Sequence, residues 1–341
     1  MTSQPGLDPN SALEVAEQGP GGGEALDASY QFGSAGKSPV KIAMRRLRKD
    51  KIAMISLGVI VFFLLMGVFA PVLAHLEGQD PYTPNPQLLN ANGLPDFYFN
   101  SQHWFGIEPG RGRDLFARFV YGVRPSLIIA ISASVVTTIV GTVAGLIAGY
   151  FGGWIDAVIG WLIDFVLSLP FLVFAIALVP VVSTYFGTPD QISATQREEI
   201  GFGSLIFVLI FFFWSGLARL IRGEVLGLRE REFVQAARAL GVPTRRILFR
   251  EILPNLTSVI LVSLTLAIPA FVGAEAGLAY LGVGIADPTP DWGLTISQSQ
   301  SYFQLDPVWL WIPLGGVVLL VLSLSLLGDA VSDAFNPNTR R

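Results

Sequence analysis

Long runs of apolar residues make up most of the chain, and short stretches rich in charge, glycine and proline separate them. A helix needs about 20 mostly apolar residues to cross the ~30 Å hydrocarbon core of a bilayer. Six runs of this length carry few or no charges: residues 52–74, 127–150, 155–182, 201–221, 256–285 and 308–328. The pattern predicts an all-α integral membrane protein with six transmembrane helices.

The composition supports this prediction. Charged residues make up only 14% of the 341 residues, whereas soluble domains carry about 25%. The first 36 residues contain five acids, no base and many Gly, Pro and Ser residues, so we expect a disordered acidic tail over residues 1–40. The chain has no cysteine, which excludes disulfides and thiolate metal sites.

Lysines and arginines predict the orientation, because the cytosolic flanks of membrane helices carry an excess of them. If the N-terminus is cytosolic, the inner segments 37–51, 219–250 and 340–341 hold seven, eight and two of the 22 bases. We therefore expect both termini in the cytosol. After the tail we predict a basic juxtamembrane segment at 41–51, a first membrane helix at 52–74 and an outer loop at 75–124. A main membrane domain at 125–328 and a cytosolic tail at 329–341 follow.

The outer loop ends in a segment with helical spacing of apolar residues. Five of them share one face: Leu115, Phe116, Phe119, Val120 and Val123. Arg118 and Arg124 fall on the other face, Asp114 is a suitable cap, and Pro125 is expected to stop the helix. The pattern predicts a short helix lying in the outer interface of the bilayer.

The second span carries Gly141, Gly145 and Gly149 at four-residue intervals. In lipid, small residues at this spacing let helix backbones approach closely. We therefore expect the second span to pack tightly against another helix, which the spacing does not identify.

A charged insert, EFVQAARALGVPTRRILFREILPN, lies at residues 232–255 between two apolar runs. Phe233, Ala236, Ala237 and Leu240 fall on one face of a helix of about 10 residues, which is too short to span a bilayer. Gly241 suits the position just past a helix end, so a glycine–proline corner and a second helix are expected to follow. The first helix could dock in a groove of another protein or rest on the membrane surface.

Two acids, Asp164 and Glu275, fall deep inside predicted spans, where a charge is costly unless it has a partner or meets water. For Asp164, a hydrogen bond between helices and a position in a pore both remain open. Glu275 follows Pro269 and could cap a break in the fifth span near its outer side. A secondary transporter or channel would need such groups for ion coupling.

The sequence gives little support to ATP binding, zinc binding or catalysis by this chain. The stretch QFGSAGKS at 31–38 has Gln31 where a phosphate-binding loop needs glycine, so we expect no ATP binding by this chain. Its two histidines, His75 and His103, lie in the outer loop and cannot form a HExxH zinc site. We therefore expect no catalytic, cofactor or metal site, and an enzyme is disfavoured.

Four segments carry a resemblance to a known family. QAARALG followed by LPN resembles the cytoplasmic coupling loop of ABC-importer permeases. Three more segments are similar to the C-type permease subunit of oligopeptide and dipeptide importers, a branch that includes nickel permeases: 105–127, 274–293 and 328–337. The resemblance covers about residues 40–337.

The resemblance implies a type I ABC-importer permease fold in a bacterial plasma membrane. It also implies a homologous permease partner, two ATPase domains that bind ATP and magnesium, and an extracytoplasmic binding protein that delivers peptide. The residues it assigns to ATPase coupling are Glu232, Phe233, Val234, Gln235, Ala236, Ala237, Arg238, Leu240 and Gly241.

The chain departs from the family pattern at two positions. Gln235 replaces the glutamate of the coupling motif, and Glu251 replaces a histidine common in the peptide branch. The cargo stays open between a peptide, a nickel chelate and another small solute.

Overall fold

The computed structural model describes residues 39–97, 99–185 and 193–335, and the regular elements of these residues are helices. The stretch 31–38 and the predicted acidic tail up to residue 38 lie outside them. In chain order, the α-helices α1 to α12 are Pro39–Leu47, Lys51–Val68, Ala70–Glu77, Leu115–Phe151, Gly153–Ser168, Phe171–Tyr185, Ala194–Arg229, Glu232–Ala239, Thr244–Arg246, Leu253–Tyr280, Trp292–Ser299 and Val308–Phe335. Two 3₁₀ turns, Pro86–Leu88 and Gln300–Tyr302, and a π-helical turn, Ile247–Ile252, complete the set.

Five of these segments are long and apolar enough to span a membrane: α2, α4, α7, the combined stretch Thr244–Tyr280, and α12. Helices α5 and α6 form a sixth span if the two are taken together, and they meet at a bend of 93°. Leu169 at the bend has an extended backbone, and Pro170 follows it. The residue before a proline is driven out of the helical region, which explains the break in this predicted span.

The first span ends earlier than expected, at Val68, and α3 begins after Phe69 with Pro71 in its first turn. Arg124 of α4 binds the end of α2: its Nε donates to the Gly67 carbonyl at 2.6 Å, and its Nη2 donates to the Val68 carbonyl at 3.3 Å. An arginine predicted on a polar face thus satisfies carbonyls at the end of a helix.

The predicted separate interfacial helix at the outer surface is wrong. Its residues form the first turns of α4, which continues without a break through Pro125. A proline inside a membrane helix is tolerated where neighbouring groups and local adjustment satisfy the freed carbonyl. The predicted cap is present, since the Asp114 carboxylate accepts a hydrogen bond from the Ala117 amide at 2.6 Å.

Helices α4 and α7 form the most extensive helix contact among the described residues. A cluster near the inner ends of the spans joins these two helices to α8 and α10. Its buried members are Leu146, Ile221, Val225, Val234, Ile247, Leu248, Ile252 and Leu256. We call this set the inner cluster. It positions the charged insert against the membrane helices.

Candidate coupling surface and charged sites

Helix α8 occupies the region of the insert predicted to be helical and ends as its sequence predicts. Gly241 has a φ of 73°, the left-handed conformation that glycine adopts without strain. The Gly241 amide donates to the Arg238 carbonyl and the Val242 amide donates to the Ala237 carbonyl, both at 3.0 Å. This pair of bonds forms a Schellman motif and closes the helix. Pro243 then begins the chain segment that leads into α10.

Val234 attaches α8 to the membrane domain. Its side chain is buried in the inner cluster, and Ala237, half-buried one turn later, packs against the same cluster. The predicted apolar face is therefore divided. Ala237 is half-buried against the protein's own core, so only part of it is available on the face predicted to dock.

The remaining members of that face are exposed and form a stripe along α8: Phe233, Ala236 and Leu240. Phe233 is 41% exposed and Leu240 is 82% exposed. Among the other residues of α8, Glu232 and Gln235 are exposed, and the Arg238 guanidinium lies 4.6 Å from the ring centre of Tyr150. We call Phe233, Ala236 and Leu240 the coupling stripe.

The segment after α8 presents a basic surface beside the coupling stripe. The π-helical turn buries Ile247, Leu248 and Ile252 in the inner cluster. Three arginines and Phe249 point outward and line a shallow cavity of about 560 Å³ together with Pro243: Arg245, Arg246 and Arg250. The predicted second helix is thus the beginning of the fifth span.

Asp164 forms an ion pair with Arg219, which joins α5 to α7. A second pair joins the same helices, since Arg222 binds Asp156 through two contacts, one of them 2.8 Å between Nη2 and Oδ2. The Asp164 and Arg219 side chains are 71% and 56% exposed. Asp164 therefore bonds between helices and also borders an open surface.

Glu275 is fully buried in an unbroken α10, so it does not cap a helix break as expected. The Ser126 hydroxyl of α4 donates to its Oε2 at 2.7 Å. The carboxyl group of Asp291, which caps α11 through the Leu294 amide at 2.8 Å, lies beside it. Burial raises the pKa of Asp291. These carboxyls join α4, α10 and α11 near the outer side.

Some arginines of the outer loop form a network with two acids, Glu108 and Asp287. Arg113 binds both, with its Nη1 2.8 Å from Asp287 Oδ1. Arg118 is buried, lies 3.4 Å from Glu108 Oε2 and donates to the Pro81 and Pro288 carbonyls. The face that carries Arg118 is thus polar, as predicted, and it is buried. In the predicted orientation this loop is on the outer side, and its acidic partners would neutralise these bases against the general charge rule.

A second buried group lies within the outer loop. His103 Nδ1 is 2.8 Å from Asp114 Oδ2, and the Trp104 amide donates to Glu77 Oε1 at 2.5 Å. Burial raises the pKa of Glu77 to about 8 and that of Asp114 to about 6, and it lowers the pKa of His103. The sequence analysis did not connect these residues, which lie on three separate segments.

Comparisons with known proteins place the chain in a family. Residues 141–341 match the binding-protein-dependent transport system inner membrane component, and residues 38–95 match the N-terminal TM domain of oligopeptide transport permease C. The oligopeptide transport system permease protein OppC of Bacillus subtilis (strain 168) is 33% identical over 88% of this chain and 90% of its own length. OppC of Escherichia coli (strain K12) is 35% identical over 89% of this chain and 93% of its own length.

A dipeptide transport system permease protein, DppC of Alkalihalophilus pseudofirmus, is 35% identical over 89% of this chain and 91% of its own length. Among solved structures, an inward-facing MetNI methionine ABC transporter chain aligns with a TM-score of 0.50 and 19% identity, covering 64% of this chain and 96% of that chain. That likeness shows the fold. The chain belongs to the binding-protein-dependent transport system inner membrane component family, and it is a multi-pass permease subunit of the ABC-importer type.

Proposed function

We propose that this chain forms half of the translocation pathway of an ATP-driven importer of oligopeptides or dipeptides. Its relatives named above are peptide permeases at 33–35% identity over most of their length, which supports a peptide cargo. A homologous permease would supply the other half, and a binding protein outside a bacterial plasma membrane would deliver the peptide. Partner ATPases would bind and hydrolyse ATP with magnesium.

The observation that carries the coupling role is the coupling stripe on α8. Because Val234 and the Schellman motif hold α8 in place, the exposed Phe233 and Leu240 side chains are presented on a rigid support. An apolar helix face on a rigid support fits a groove in a partner protein. A helix that lies on a membrane usually carries several bases on its polar face, whereas α8 has one, Arg238, together with Glu232.

The docking proposal can be tested by co-purification of the ATPases. Leu240→Asp and Phe233→Asp place a charge in the proposed contact, and we expect both to reduce ATPase co-purification and peptide uptake without changing the amount of permease in the membrane. Met44→Asp on α1 is the matched control, because Met44 is 49% exposed and lies outside the coupling stripe. Wild-type co-purification in both stripe variants would contradict the proposal.

The cargo is tested separately with the intact transporter. Uptake of labelled dipeptides and tripeptides that is saturable and requires ATP would support the peptide assignment. Uptake of a nickel chelate, with none of either peptide, would support the alternative cargo instead.

A further inference from the structure

Two ion pairs follow one face of α5 and α7. Asp156 pairs with Arg222, and Asp164, eight residues later on α5, pairs with Arg219. Eight residues are slightly more than two helical turns, so the two acids share one side of α5. The four side chains border a groove of about 410 Å³. Three small residues and two large apolar ones complete its lining: Gly153, Ala157, Gly160, Trp161 and Ile163.

These charges lie near the inner ends of the predicted spans: Asp164 falls inside the third span, whereas Arg219 and Arg222 stand where the fourth span ends. A Cβ atom on Gly145 would be 2.6 Å from the Ala218 carbonyl oxygen, and one on Gly149 would be 2.9 Å from the Arg222 carbonyl oxygen. Arg219 and Arg222 are therefore level with this part of α4. Gly145 lies six residues, or about 9 Å, before the end of α4.

Lipid does not fit this groove. Charged groups within the bilayer almost always face a protein interior or a water-filled space. Asp164 and Arg219 are paired, yet more than half of each side chain is exposed. The opposite side of α5 has a different character, because Val158, Leu162 and Phe165 are exposed apolar residues suited to lipid or to a partner subunit.

We propose that this groove lines the aqueous passage on the cytosolic side, where its carboxylates and guanidiniums meet the charged ends of a zwitterionic solute. Its volume holds on the order of ten waters, at about 30 Å³ each. A peptide carries an ammonium and a carboxylate group, and the exposed Asp164 and Arg219 offer the complementary charges. The solute class rests on the proposed function, whereas the aqueous lining rests on the geometry alone.

Cysteine labelling tests the lining, because the chain has no cysteine of its own. Gly160→Cys enters the groove without a clash, since a Cβ atom there meets nothing within 4 Å. Val158→Cys, on the opposite side of α5, is the matched control. Both variants are assembled with their partners in inside-out vesicles and treated with a membrane-impermeant maleimide.

We expect Gly160→Cys to react at least tenfold faster than Val158→Cys, and a saturating tripeptide to slow its reaction. Equal labelling rates for the two variants, or a Gly160→Cys that stays unlabelled in the absence of peptide, would show that another subunit or lipid covers the groove. Either result would contradict the proposal that the groove lines an aqueous passage. Fast labelling that no peptide slows would overturn the solute contact. Absence of peptide uptake by the unmodified transporter would instead contradict the proposed function, while the labelling comparison would still test the lining.

The proposed contact between Arg219 and the carboxylate of a peptide has its own test. Arg219→Gln should raise the KM for uptake of a tripeptide several-fold. It should leave the KM of the same tripeptide with an amidated C-terminus nearly unchanged, because that peptide has no carboxylate for Arg219 to bind. Arg219→Lys should restore most of the difference. An equal change for both peptides, or a loss of membrane-inserted subunit, would assign the Asp164–Arg219 pair a structural role only.

Discussion

Gly145 of α4 lies against Ile221 of α7 so closely that a Cβ atom added to the glycine would be 2.7 Å from the Ile221 Cβ atom. Gly141 and Gly149 repeat the contact one turn away on either side, against Leu217 and Val225. The absence of three side chains therefore sets the separation of the two helices whose contact organises the membrane domain.

A methyl group at this contact should destabilise the subunit. In Gly145→Ala, the added atom would also be 2.6 Å from the backbone oxygen of Ala218, which cannot move without shifting α7. Overpacking of this kind costs about 1–3 kcal/mol. We expect a lower melting temperature of the purified complex. Gly216→Ala on α7, where a Cβ atom meets nothing within 4 Å, is the control, and an equal melting temperature in both variants would contradict the packing role.

Gly241→Val should disturb the end of α8 without affecting membrane insertion. A β-branched residue at a φ of 73° is strained, at a cost of ~1 kcal/mol or more. We expect less ATPase co-purification and less uptake at a normal membrane level. Gly241→Asn is the matched control, because asparagine tolerates the left-handed region better than other residues with a side chain. If the Gly241→Val and Gly241→Asn variants co-purify with equal amounts of ATPase, the end of α8 does not govern docking of the ATPase.

The buried acids of the outer loop, Glu77 and Asp114, should make the stability of the folded subunit depend on pH. The pKa of Glu77 is raised from 4.5 to about 8 and that of Asp114 from 3.8 to about 6, both mainly by burial, with His103 and the Trp104 amide as neighbours. For these two acids the folded state holds protons that the unfolded state releases. The lowered pKa of His103 acts in the opposite sense below its ordinary value of 6.5, so stability should fall as pH rises from about 6.5 to about 8.

Glu77→Gln tests this dependence. The amide keeps the shape of the side chain but cannot ionise, so the fall in thermal stability between pH 6 and pH 8 should become smaller than in the unmodified complex. Leu76→Gln on the same helix is the control, because Leu76 is 68% exposed and cannot ionise, so this change should leave the pH profile unchanged. A Glu77→Gln profile identical to that of the unmodified complex would exclude Glu77 as its origin.

The orientation is open to a direct measurement. With cytosolic termini, Ser101→Cys in the outer loop should react with a membrane-impermeant reagent in intact cells, whereas Ser332→Cys near the end of α12 should react only after permeabilisation. The opposite result would invert the predicted topology.

Local features of the sequence determined the all-α membrane fold of this protein and the end of α8, and they indicated its family. The lengths of the apolar runs predicted the all-α membrane fold, because the hydrocarbon core sets a fixed length for a spanning helix. The Gly241–Pro243 corner predicted the end of α8, because only the backbone preferences of adjacent residues were needed. Four short segments resembled the family that the comparisons then showed.

Contacts between distant segments were decided by the tertiary structure alone. Pro125 remains helical within the packed helices, and Arg118 meets Glu108 and Asp287 in a buried network. Val234 is buried in the inner cluster, and Ala237 packs in part against it. Helical spacing shows which residues share a face, but it does not show which face the rest of the protein covers. That choice depends on the helices that pack there, and residues far apart in the chain supply them.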